Sequence, residues 1–147
     1  MCQLRFHEWM QLGGVTMLPG VSAVASRATM SWPGGAQGSD LEALWQHSRN
    51  SVGIARLLLH EQRPVGLLDT ACRAAMEYAC RAALQAAGQD FPGDVARSLE
   101  RLAAPPDVLG RVTDPCAGLA RLATTERVLA WASAELRRMH PDRAWRY

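Results

Sequence analysis

The fold turns on PVGLLDTACRAAMEYACRAALQAAG, residues 64–88. Proline opens it and glycine closes it, the asymmetry expected at the first helical position and just past the last turn. Between them alanine, leucine, methionine and arginine dominate, all strong helix formers. Leu68, Ala71, Ala75, Tyr78, Ala79, Ala82 and Ala86 recur in steps of three and four, which lines one face of a helix. Alanines on that face let neighbouring axes approach closely, so the spacing predicts a central rod in a helical bundle.

Upstream, the preceding segment carries Leu41, Leu44, Trp45, Ser48, Val52, Ala55, Leu58 and Leu59 as an apolar stripe. Ser39-Asp40-Leu41-Glu42 fits a capping box, which predicts the start of that helix at Ser39. The link Glu61-Gln62-Arg63 is short and favours an antiparallel hairpin. Downstream, Gly93-Asp94 opens a third helix with Val95, Leu99, Leu102 and Ala103 inward, and Pro105-Pro106 stops it. Residues 107–114 read as a connection with room for one helical turn. Asp114-Pro115 then reads as N-cap and first residue of a fourth helix whose stripe is Leu119, Leu122, Thr125, Leu129, Ala132 and Leu136. Pro141 ends it. No segment alternates with period two. The expectation is an all-α, four-helix up-and-down bundle over residues 39–147.

Residues 1–38 differ. Gly13-Gly14, Pro19-Gly20 and Pro33-Gly34-Gly35 break any sustained period, so this part reads as a loosely ordered extension. Phe6, Trp9 and Leu12 are at helical spacing and could pack on the bundle. Met10, Met17 and Met30 leave the natural start open. Ala23-Val24-Ala25 resembles a signal-peptidase site, but Glu8 and the glycines make a poor export signal.

Length and composition set limits on the task. One domain with a real core fits 147 residues, and 48% hydrophobic with 20% charged is ordinary for a globular chain. A net charge of +2 gives little long-range pull toward nucleic acid. Every basic residue is arginine, which reads as a compositional habit of the source genome, although arginine also clamps phosphate. Cys2, Cys72, Cys80 and Cys116 show neither a CxxC pair nor a zinc spacing, so free thiols are expected. No apolar run reaches a membrane span. A cytoplasmic location is the reading that follows.

On residues 42–88 the pattern resembles the HEPN family of small helical bundles. An opening helix ending in the apolar run Ala55-Arg56-Leu57-Leu58-Leu59 and a short turn precede the helix Ala71 through Leu84, which with its Gly88 stop is similar to the family's "A…AxEyAxrAlLxxxG" signature. Phe91-Pro92-Gly93-Asp94, then Ser98-Leu99 and Leu102, resembles a later family segment. The resemblance implies a bundle of four or five helices that commonly dimerises. Many members are metal-independent ribonucleases with an Arg-x4–6-His motif, whereas members without it are implied to act beside nucleotidyltransferases or as accessory domains. Here Arg56…His60 falls one residue short and Arg137-Arg138-Met139-His140 shorter still.

Metal-free RNA cleavage needs a group that moves a proton and a cation that steadies the phosphorane. Arg137, Arg138 and His140 are the candidate catalytic residues, with Arg143, Trp145 and Arg146 as candidate nucleic-acid contacts, the indole offering a stacking face. The bland alternative is arginines complementing a helix C-terminus, followed by a frayed tail. Glu77 pairs at the surface with Arg73 or Arg81 in the expected arrangement. Metal ligands and cofactors are not expected, since no Glu-x-x-His pair occurs and no helix carries histidines four apart. Trp131 projects off the core stripe of the fourth helix between Arg127 and Glu135. It is the candidate interface residue for a homodimer or partner, unless the first helix or the extension covers it.

The leading expectation is a non-catalytic HEPN-like binding module, dimeric or paired with a nucleotidyltransferase. A toxin-like ribonuclease and an RNA- or nucleotide-binding accessory domain are the alternatives.

Overall fold

Proline at position 64 fixes φ at −53° with extended ψ, so the chain turns into helix at the next residue, and the alanine-rich rod runs Val65–Ala86. The computed structural model describes residues 37–147, which contain five helices and no strand. In chain order these are α1 (Gln37–His60), α2 (Val65–Ala86), α3 (Val95–Arg101), α4 (Pro106–Thr113) and α5 (Gly118–Met139). The expectations for the extension (Phe6, Trp9 and Leu12, the start codon, the cleavage site) and for Cys2 lie outside the described residues. Leu41–Tyr147 form one compact unit. Among the described residues no helix is long and apolar enough to cross a membrane.

Three helices end in the same way. After α2, the Gly88 and Gln89 amides donate to the carbonyls of Gln85 and Leu84 at 3.0 and 2.8 Å, with Gly88 at φ +70°. This is the glycine stop expected from sequence. The same pair of bonds closes α1 through Gln62 and Arg63, and α3 through Ala103 and Ala104. There the left-handed positions are held by Gln62 (φ 54°) and Ala103 (φ 52°). A side chain with Cβ is disfavoured in that region, so these two stops, expected from the Glu61-Gln62-Arg63 link and from Pro105-Pro106, form without the glycine that marks the end of α2.

Several boundaries correct the sequence reading. α1 starts at Gln37, so Ser39 lies inside a helical turn and not at the non-helical cap position. The connection at 107–114 is instead α4, a two-turn helix with Pro106 at its first position. The four-helix up-and-down bundle therefore gives way to three long helices and a short α3–α4 pair. Asp114 does not open α5. Its amide closes α4 by donating to the Gly110 carbonyl at 3.2 Å. α5 begins at Gly118 (φ +61°), whose amide donates to the Asp69 carboxylate of α2 at 3.3 Å. A cap from another helix thus overrode the local Asp-Pro pattern. The shift also strands Leu119, expected in the core, at 67% exposed.

The Asp94 cap stands as expected, its carboxylate accepting from the Arg97 amide at 3.0 Å. We expect Asp94→Ala to lower stability by about 1 kcal/mol, read from the urea midpoint at unchanged slope.

α2 and α5 form the spine. Asp69 meets Gly118 at their N-terminal ends, and farther along Thr125 faces the Cys72 thiol. They run side by side in the same direction. Leu68, Ala71, Ala75, Ala79 and Ala82 are buried, as the periodicity requires, while Tyr78 and Ala86 are half-buried. α1 lies antiparallel to α2. Ser48 Oγ donates to the Ala75 carbonyl at 2.7 Å, and His47 packs on the Tyr78 ring with centroids 5.2 Å apart.

A second cluster sits on a different face of the spine, where Met76, Cys80 and Val128 meet Val95, Leu99 and Val108 of α3 and α4. Trp131 packs against this cluster and is half-buried. The cover over Trp131 among the described residues thus includes the cluster that α3 and α4 complete, while the extension lies outside them.

Candidate functional site at the end of α5

Arg137, Arg138 and His140 stand in and just beyond the last turn of α5, as the sequence placed them. The helix stops because Pro141 cannot continue it, and the His140 amide makes the final bond to the Leu136 carbonyl at 2.8 Å. Residues 141–147 do not fray. They fold back along α5 toward α1.

Trp145 anchors this return. It is 2% exposed, and its indole Nε1–H donates to the His140 carbonyl at 2.9 Å. Its own carbonyl accepts from Ser133 Oγ at 2.8 Å and from Arg137 Nε and Nη2 at 3.2 and 3.1 Å. Arg137 Nη2 also reaches Ser133 Oγ at 3.0 Å. A buried carbonyl with three donors is amply satisfied, and the guanidinium that supplies two of them is held in place by the same bonds.

The remaining candidates go elsewhere. Arg138 turns to solvent and pairs with Glu135, Nη2 to Oε2 2.7 Å, which raises its pKa further. Arg143 reaches across to Glu42 of α1 at 3.4 Å. Arg146 keeps its side chain exposed, while its carbonyl accepts the Trp45 indole N–H at 3.1 Å. Tyr147 lies beside Arg56, whose guanidinium donates to the phenol oxygen at 3.4 Å and sits 5.7 Å from the ring centroid. Arg56 in turn pairs with Glu126 of α5 at 2.8 Å, which raises the Arg56 pKa. Burial, reinforced by the Glu126 charge, pushes the Tyr147 phenol up.

The structure thus brings Arg137, His140 and Trp145 together, with the His140 and Trp145 rings 6.4 Å apart, and directs the side chains of Arg138 and Arg143 to other partners, leaving that of Arg146 exposed. The Trp145 ring, expected to offer a stacking face, is packed inside the fold because its amphipathic edge finds a carbonyl there. Ser133, Trp45 and Glu42 complete the arrangement; the sequence marked Trp45 only as a core position, Glu42 only as part of a capping box, and Ser133 not at all. Ser133 precedes Arg137 by four residues, the only local spacing that could have hinted at their bond. In the earlier Arg56…His60 pattern, Arg56 is engaged with Glu126 and Tyr147, and His60 is exposed at the end of α1. Arg81, one of the two arginines that could pair with Glu77, lies over the Phe91 ring at 4.2 Å.

Among the described residues no three His, Cys, Asp or Glu side chains are grouped so as to hold a metal ion. Cys72 and Cys80 are buried free thiols, and burial pushes Cys80 up to about 12 and Cys72 upward as well. Thiolate is the reactive form. Of these three cysteines, we expect iodoacetamide at pH 8 to label half-buried Cys116 first, with Cys72 and Cys80 labelled only in urea; peptide mass mapping checks it.

Compared with family models, with curated proteins and with solved structures, the chain finds no match.

Proposed function

We propose that the chain is a HEPN-like helical bundle that works by binding in the cytoplasm, as a homodimer or beside a nucleotidyltransferase-type partner. The observation that supports this reading is that both candidate catalytic arginines are bonded to neighbouring groups of the fold. Arg137 is spent on the Trp145 carbonyl and Ser133, and Arg138 on Glu135. A guanidinium held by such bonds must give them up before it can steady a phosphorane, which removes the preorganisation that catalysis needs. The half-buried Trp131 ring is the proposed contact surface on α5, since part of its area stays wet.

The test uses purified chain with transfer RNA and messenger RNA, alone and after co-expression with a small nucleotidyltransferase. We expect intact RNA, co-elution with the partner or a dimeric mass, and loss of that assembly in Trp131→Ala at unchanged helical content. Cleavage abolished by His140→Ala in a folded protein would overturn the reading in favour of the ribonuclease. RNA retention that falls steeply with salt would overturn it in favour of the accessory domain.

A further inference from the structure

We propose that residues 141–147 are a latch on α1, and that latch and α1 open together while α2, α3, α4 and α5 stay folded. This opening goes beyond the binding reading and does not depend on it.

The latch is bonded on both sides. Toward α5 it holds through Trp145, by way of Ser133, Arg137 and the His140 carbonyl. Toward α1 it holds at three points, Arg143 to Glu42, the Arg146 carbonyl to Trp45, and Tyr147 to Arg56. Glu42 to Arg56 covers about 21 Å of helix at 1.5 Å per residue, so the contacts are spread along most of α1. Five extended residues span at most about 18 Å, and the two arginine side chains at the ends make up the difference.

α1 also meets the spine directly, through Ser48 to the Ala75 carbonyl, His47 on Tyr78, and Arg56 to Glu126. Its apolar stripe includes Leu41, Trp45, Val52, Ala55 and Leu58. Trp45 belongs to both sets, because its indole N–H is satisfied by the latch. Once the latch leaves, that buried donor loses its acceptor, and α1 is weakened within its buried face.

The rest of the fold has its own support. The cluster of Met76, Cys80, Val95, Leu99, Val108 and Val128 contains no residue of α1 or of the latch. On α5, Ser133 lies five residues from Val128, about 140° round the helix, so the latch and the second cluster use different sides of it. Asp69 on Gly118 and Thr125 on Cys72 join α2 to α5 without α1. Cooperative units separate where one set of contacts can break and leave another intact. Opening would uncover the Ala71, Ala75, Ala79 and Ala82 face of α2.

Hydrogen exchange on the full chain tests this with two mild variants. In the parent, the amides of residues 44–60 and that of Arg143, which donates to the His140 carbonyl, should share one opening free energy, below that of α2 and α5. Trp145→Phe should speed this set about tenfold, since it removes the indole donor and part of the packing. Val108→Ala weakens only the second cluster; it should speed the slowest α2 and α5 amides about tenfold while leaving residues 44–60 within about threefold. If Val108→Ala speeds α1 as much as the spine, α1 opens only with global unfolding and the latch is refuted. Unchanged exchange of α1 in Trp145→Phe would refute it equally.

Discussion

Trp145→Ala should lower the free energy of unfolding by about 3–5 kcal/mol, the range for deleting a buried large aromatic. The residue is among the largest fully buried side chains in the described fold. Its loss leaves a cavity beside α1 and α5 and strips the His140 carbonyl of its indole donor, although the Arg143 amide still reaches that oxygen at 3.3 Å. Set against a total stability of about 5–15 kcal/mol, this is a large fraction for one residue near the end of the chain. A urea melt followed by helical signal measures it. Trp145→Phe keeps most of the volume and should cost clearly less. A loss below about 0.5 kcal/mol for the alanine variant, typical of an exposed tail, would show that residues 141–147 do not pack in solution.

The second large effect concerns the alanine face. Ala75 has no exposed surface, and Ser48 Oγ approaches its carbonyl at 2.7 Å, which sets how close α1 and α2 lie. Ala75→Leu inserts three heavy atoms where two helices already touch. Overpacking of this kind costs about 1–3 kcal/mol, and pushing α1 outward would break the Ser48 bond as well. We expect a loss of about 3 kcal/mol in the urea melt. Ala120→Leu, on an exposed position of α5, should stay within about 0.5 kcal/mol of the parent. Equal effects at the two sites would mean that small residues at the crossing are incidental.

Much of the fold was legible because helices are coded locally. Hydrophobic spacing placed α2 and its buried alanines, Gly88 marked its stop, and Asp94 marked the start of α3, each through interactions within a few residues. The misplaced start of α5 has a tertiary cause: the helix begins where Asp69 reaches over from α2. A cap supplied by a distant residue leaves no local mark.

The candidate site shows the same division more sharply. Sequence placed Arg137, Arg138 and His140 within one helical turn and set Arg143, Trp145 and Arg146 just after it. Composition cannot say whether such a tail faces solvent or returns to the fold. That was decided by the space between α1 and α5, into which an indole fits with its N–H satisfied.

The all-helical class, the central rod and most of the core were therefore written in the order of residues, because 3.6-residue periodicity and short-range capping act within a single element. The number of helices in the described residues, the side of α5 that Trp131 faces, the bonding of Arg137 to the returning chain and the burial of Trp145 were fixed only by assembly of the fold. Those outcomes depend on hydrogen bonds and packing between residues up to about a hundred positions apart, such as Trp45 with Arg146. Such contacts exist only once the helices have met.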